Sequence, residues 1–391
     1  MNLPTRHTYR LSELSWYFLK LGTTGFGGPV ALVAYMHRDL VEKKKWISED
    51  EFKEGLALAQ LAPGPLAAQL GIYLGYVHYR IPGATLAGFA FILPSFVMVV
   101  LLGIAYTVYG GLGWMQAVFY GVSASVVGII FMSLYKLTVK SISKFNIAGF
   151  RQQWILWIFY IVAALITFIT KTENIFVFLA GGFLYMFIKA PPKWDRQAQV
   201  SLIFLGMGFW QFEPGTLGKI ALFFSKAGAF VFGSGLAIVP FLHAGVVVET
   251  NWLTEQQFVD AIAVAMITPG PVVITVGFIG YLVAGFPGAL VAAMATFLPC
   301  YLITVITAPY FKRIAKNKSV KAFVDGITAT VIGALAGAVA IIGMRSITDI
   351  PALLIAVVTV LSLIYFSRIK EPVIILVAAL IGLSIKYFQA L

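Results

Sequence analysis

The chain carries one set of chemistry-bearing residues twice. Pro63-Gly64-Pro65 returns as Pro269-Gly270-Pro271, and the glycine run at residues 22–29 returns at 228–235. Lys20 and Lys226 precede the glycine runs, Glu54 and Asp260 precede the Pro-Gly-Pro turns, and His37 is matched by His243. Pro63 disfavours helical backbone at Ala62, so a helix beginning near Ser48 is expected to end there. With Gly64 as N-cap and Pro65 as the first helical residue, the amides of Leu66 and Ala67 become free donors at the positive end of a new helix. Such an end binds anions. Pro269-Gly270-Pro271 repeats the device, with Val272 and Val273 as donors.

The second break contains Gly25, Phe26, Gly27 and Gly28, matched by Gly233, Ser234 and Gly235, where glycine lets the backbone approach a ligand closely. Lys20 and Lys226 each lie about two helical turns before Gly27 or Gly233, and so can share a face with the break. One cation from each copy, converging on a small dianion with the helix N-termini, is the expected site. An acid inside a membrane segment can carry a proton, and histidine changes charge near neutrality. Glu54, Asp260, His37 and His243 are therefore the coupling candidates. Plainer explanations stay open: proline kinks, helix packing through small residues, lysines snorkelling to the interface. Residues 49–54 also read as the solvated first turns of an amphipathic helix.

Membrane helices must position these groups. The 391 residues are 60% hydrophobic and 11% charged, against about 25% charged for a soluble domain. Apolar runs at 84–106, 115–135, 154–170, 290–309 and 322–343 approach or exceed the roughly 20 residues that cross a bilayer. The net charge of +12 sits in short tracts between such runs, which sets orientation and does not indicate nucleic acid.

Residues 18–71 align with 224–277 without a gap, pairing Gly22 with Gly228, Phe26 with Phe232, Trp46 with Trp252 and Phe52 with Phe258. After one deletion the match continues, pairing Pro82-Gly83-Ala84 with Pro287-Gly288-Ala289 and Leu93-Pro94-Ser95 with Leu298-Pro299-Cys300. The copies differ in where their basic loops fall. Lys136, Lys140, Lys144 and Arg151 follow the fifth segment of the first copy, while Lys312, Arg313, Lys316, Lys318 and Lys321 precede its counterpart. Parallel copies would carry their charge at matching loops, so inverted repeats are expected.

The expected fold is an all-α polytopic membrane protein with two inverted-topology repeats of about six segments each, containing broken or re-entrant helices. The first repeat covers residues 1–196 and the second 217–391. The linker 197–216, with its apolar stretch 200–212, crosses once to turn the second copy over. The N-terminus is then cytoplasmic and the C-terminus outside.

There is no phosphate loop, no H-E-x-x-H or G-x-S-x-G motif and one cysteine, Cys300. No enzymatic chemistry, cofactor or metal is expected, and transport would be driven by a gradient. At this point the residues resemble a known family. Phe18-x-Lys20-x-Gly22 leading to Gly25-Phe-Gly-Gly-Pro29, Trp46-Ile-Ser-Glu-Asp-Glu-Phe52, Leu61-Ala-Pro-Gly-Pro65 and Thr268-Pro-Gly-Pro271 are similar to the signature of the chromate ion transporters. The resemblance covers nearly the whole chain. It implies the long-chain, two-repeat form and chromate efflux across the cytoplasmic (inner) membrane. The family's Gly-Gly-Pro becomes Gly233-Ser234-Gly235 in the second copy, so the two halves need not contribute equally. The residues alone support a small-oxyanion transporter. Sulfate, or an uncoupled anion channel, remains open at this stage, as does a homodimer.

Overall fold

The computed structural model describes residues 9–389 except 27, 173, 193–214, 232–234, 312–316, 367–368 and 370. Gly27, Gly233 and Ser234, the linker stretch 200–212 and the basic residues Lys312, Arg313 and Lys316 therefore lie outside the described residues. The described chain is helical, with no strand.

The first repeat comprises α1 (Leu11–Thr24), α2 (Gly28–Met36, continued by a wide turn to Lys43), α3 (Glu49–Leu61), α4 (Leu66–Tyr109), α5 (Gly113–Ser141), α6 (Ile147–Gln152), α7 (Trp154–Thr170) and α8 (Ile175–Lys189). The second comprises α9 (Thr216–Ala229), α10 (Val239–His243), α11 (Glu255–Ile267), α12 (Thr275–Thr307), α13 (Lys318–Ser346), α14 (Ile350–Tyr365) and α15 (Glu371–Gln389). Four helical stretches are long and apolar enough to cross a membrane: Leu66–Tyr109, Gly113–Ser141, Val272–Tyr310 and Lys318–Ser346. The protein is a multi-pass membrane protein.

The elements that carry the breaks are short. α1 has 14 residues and α3 has 13, so each spans about 20 Å against about 30 Å of hydrocarbon. The chain doubles back at each break. Tyr17 on α1 donates to the carbonyl of Tyr35 at 3.3 Å, and Glu51 on α3 meets His78 of α4 at 3.2 Å. Two half-length hairpins result, with tips near Gly25 and Gly64. Their bases are tied by Tyr9, which stacks on Trp46 at 4.6 Å and hydrogen-bonds His78 at 2.7 Å.

Local sequence explains these boundaries. Ser48 caps α3 through a capping box with Glu51, and acids fill its first turn. α3 stops before Pro63, with Ala62 extended at φ −86° and ψ 144°, as the proline requires. α4 folds back sharply at Arg80, φ 53°, so its two halves lie antiparallel. Gly75 and Gly83 make that contact possible, since a Cβ on either would overlap the other's carbonyl. α12 breaks at the equivalent place, Ala284-Gly285, with Gly280 against Gly288.

Equivalent helices of the two repeats cross antiparallel. On α4 and α12, Thr85 meets Tyr301 through their hydroxyls at 2.7 Å, while Phe96 packs on Phe286 with ring centroids 6.4 Å apart. Rising numbers on one helix thus meet falling numbers on the other.

The last two helices of each repeat leave their own repeat. α7 and α8 pack on α13, and α14 and α15 pack on α5. Small residues set both contacts: Gly121 lies under Ala378 and Gly128 under Ala356, as Gly326 lies under Gly181 and Gly333 under Tyr160.

Candidate functional site

The broken hairpin tips meet in pairs across the two repeats. The amide of Gly64 donates to the carbonyl of Val231 at 2.5 Å, and the amide of Gly270 donates to the carbonyl of Gly25 at 2.9 Å. Gly64 and Gly270 occupy one repeat position, and Gly25 and Val231 another, so this is one contact made twice. Each Pro-Gly-Pro turn is thereby docked on the glycine break of the other repeat. Gly64 and Gly270 need positive φ, +139° and +93°, which glycine adopts without strain.

The turns are braced from behind. Ser95 Oγ donates to the carbonyl of Pro269 at 2.7 Å, and Gln69 Nε2 donates to the carbonyl of Pro63 at 2.7 Å. Cys300, at the repeat position of Ser95, packs its Cβ against Gly64.

The caps differ by one residue from the sequence expectation. Pro65 is the N-cap, at φ −65° and ψ 114°, and Leu66 is the first helical residue. Pro271 likewise caps a 3-10 turn, Val272–Ile274, that leads into α12. The reason is that Gly64 is consumed by the turn itself, with a φ of +139° outside the extended region typical of an N-cap. The first amides of a helix lack acceptors within it, so Leu66, Ala67 and Ala68 still supply the buried donors of the first repeat. Val272 and Val273 hold the corresponding place in the second. In the glycine break, Gly28 opens α2 at φ +71°, and Gly235 opens a 3-10 turn to Ile238. Gly25 is buried and Phe26 half-buried.

The two lysines expected to converge on one dianion line different grooves. Leu14, Phe18 and Leu21 bury one face of α1, which turns Lys20 toward an open groove of about 950 Å³. That groove runs past Arg38, Lys43 and Lys44 and reaches the tip at Thr24 and Gly25. Lys226 lines its own groove of about 730 Å³, beside Lys219 and Trp252. The grooves are repeat equivalents: Trp46 and Tyr35 of the first correspond to Trp252 and Phe241 of the second. The first carries the stronger positive character, with four cations against Glu13 and Asp39.

The acids and histidines also separate. Asp260 is 2% exposed and accepts from Tyr106 at 2.8 Å, Gln256 at 2.9 Å and Ser123 at 3.2 Å. Glu54, at the same repeat position, is half-buried and hydrogen-bonds Tyr73. His37 and His243 each pair with an acid twelve residues on, Glu49 at 2.9 Å and Glu255 at 2.8 Å. Each ring also meets a Phe edge-on, Phe52 or Phe258. In the second pair His243 is buried and Glu255 is also engaged by Arg345, whereas the first pair faces Glu42 and solvent.

Sequence reasoning missed Tyr106, Ser123 and Gln256 around Asp260, because two of them come from distant helices of the other repeat. It also missed Glu49 and Glu255, although an acid repeated twelve residues after a repeated histidine is a readable signal.

Comparison with known proteins agrees with this duplicated architecture. A family model described as chromate transporter matches twice, over residues 12–186 and 218–383. A chromate transport protein of Cupriavidus metallidurans is 61% identical over 98% of this chain and 95% of its own length. A probable chromate transport protein of Synechococcus elongatus is 56% identical over 97% of each. No solved structure matches the chain. The chain, matched in both repeats and along nearly its full length, belongs to the chromate transporter family.

Proposed function

We propose that this protein is a secondary active transporter that exports chromate across the cytoplasmic (inner) membrane, driven by an ion or proton gradient. The carrying observation is the crossed docking of the tips, Gly64 on Val231 and Gly270 on Gly25. It gathers both Pro-Gly-Pro turns and both glycine breaks around one locus, where the Leu66 and Val272 helix starts offer amide donors to a tetrahedral dianion. The grooves of Lys20 and Lys226 serve as vestibules. A cleft lined by one sign of charge concentrates the opposite ion.

The repeats 1–196 and 217–391 are read as inverted, joined by 197–216, with the N-terminus cytoplasmic and the C-terminus outside. The antiparallel crossing of equivalent helices α4 and α12 supports this, since repeats related by an axis along the membrane normal would run parallel. On this reading each vestibule opens on its own side of the membrane, and the first reaches the tips at Thr24 and Gly25.

Sulfate is the second reading. It has the shape and charge of chromate, and amide and lysine donors contact both alike. Chromate and sulfate flux in proteoliposomes, each competed by the other, with and without an imposed pH gradient, tests the assignment. Chromate flux that responds to the gradient is the expected result. Gradient-independent flux would make the protein an anion channel, and absence of any flux would overturn the proposal.

A further inference from the structure

Among the described residues, Asp260 is the one carboxylate with less than a tenth of its surface exposed. It is held by donors from three helices. Tyr106 Oη reaches its Oδ2 from the end of α4, while Ser123 Oγ of α5 and Gln256 Nε2 reach its Oδ1. Gln256 also donates to Ser123 at 3.1 Å, which leaves the serine proton directed at the carboxylate. Every partner therefore acts as a donor, which suits an ionised, acceptor-only carboxylate.

Among the described residues, no cation contacts the carboxylate. The titratable group facing it is Tyr106, whose ring is packed between Phe119 and Phe278. Arg345 of α13 is engaged on Glu255, and Lys386 of α15 lies over the ring of Tyr120. The two outer donors, Tyr106 and Ser123, belong to the first repeat, whereas Asp260 belongs to the second. At the repeat equivalents of Tyr106 and Ser123 stand Phe311 and Thr328, and Phe311 has no hydroxyl.

We infer that Asp260 is the proton-carrying residue of the transport cycle, and that its ionised form latches the two repeats together through Tyr106 and Ser123. The inference rests on the gradient-driven reading above. When the carboxylate takes a proton, its O–H donates to the Tyr106 oxygen, and the tyrosine proton turns away from the carboxylate. Charge-assisted hydrogen bonds become neutral ones and one is lost, so the contact between repeats weakens. Release of the proton restores it. Asp260 lies nine residues before Pro269 on α11, about 14 Å from the turn, so one rigid helix links the proton site to the anion site.

The test uses the full chain in proteoliposomes, with chromate flux and lumenal pH followed together. Wild type is expected to move protons with chromate. Asp260→Asn is expected to keep chromate–chromate exchange and to lose both proton movement and gradient response, and Asp260→Glu to recover them. Tyr106→Phe, which removes one donor to the charged form, is expected to raise the pH of half-maximal flux by about one unit. Tyr106→Phe gives a reading even where Asp260→Asn fails to fold. Proton-coupled flux in Asp260→Asn, or an unshifted profile in Tyr106→Phe, overturns the inference. Wild-type chromate flux without proton movement also overturns it while leaving chromate transport standing, and no wild-type flux at all sinks the transport reading itself.

Discussion

The backbone amide of Gly270 donates to the carbonyl of Gly25 2.9 Å away, and these residues come from different repeats. With its counterpart between Gly64 and Val231, it makes each broken tip depend on the other copy for its shape. Neither Pro-Gly-Pro turn makes this contact within its own repeat.

Substituting the turn glycines should therefore damage both halves at once. Gly270→Ala places a methyl group into Ser95 Oγ and forces alanine to φ +93°. Gly64→Ala meets Cys300 and Gln69 at a φ of +139°. Positive φ alone costs about 1–3 kcal/mol. Each variant should melt earlier in detergent and lose chromate transport, and a fully active Gly270→Ala would remove the turn from the site.

Lys20 and Lys226 line separate grooves, so on the vestibule reading their effects should differ by side. Lys20→Met should slow chromate transport at least about tenfold for anion presented at the first-repeat side, with expression intact. Lys226→Met should do the same for anion presented at the opposite side, and arginine at either site should recover part of the rate. Sidedness is read by comparing right-side-out with inverted vesicles; equal effects from both sides would contradict the vestibule assignment.

Inversion of the repeats can be read by labelling. Cys300 is buried and is the only cysteine, so a Cys300→Ser background leaves no native thiol. Lys140→Cys and Lys321→Cys should then react with an impermeant reagent from the same, cytoplasmic, side. Labelling from opposite sides would mean that the repeats are parallel.

The paired histidines allow a comparison within one molecule. Glu49 binds a half-exposed His37, and exposed pairs contribute about 0–1 kcal/mol. Glu255 binds His243, 2% exposed, together with Arg345. Glu49→Ala should leave the melting temperature almost unchanged, while Glu255→Ala should cost about 2 kcal/mol by stranding the buried His243. Equal shifts in thermal unfolding would refute the difference.

The exchanged helices predict a packing effect far from any anion. Gly121→Val drives a side chain into the carbonyl of Ala378 on α15, and overpacking of this kind costs about 1–3 kcal/mol or more. Gly111→Ala, with no atom within 4 Å, should stay within about 0.5 kcal/mol of wild type. Thermal stability in detergent measures both.

By itself the sequence determined the membrane class, the duplication and the places where helices must break. Those properties are written in composition, in repeated Trp, His and Pro-Gly-Pro, and in proline's effect on its neighbour, all of which act locally. Only the tertiary structure decided which helix each repeat packs on. In lipid every face of a helix is apolar, so no amphipathic stripe points to a partner, and the choice falls to glycines that allow close approach. That choice carries α7 and α8 over to α13, and α14 and α15 over to α5. The same long-range packing sends Lys20 and Lys226 into separate grooves and brings Tyr106 and Ser123 to Asp260 but not to Glu54. Two acids at one repeat position thus acquire different surroundings, because repeat position fixes the backbone while the partners come from the other copy.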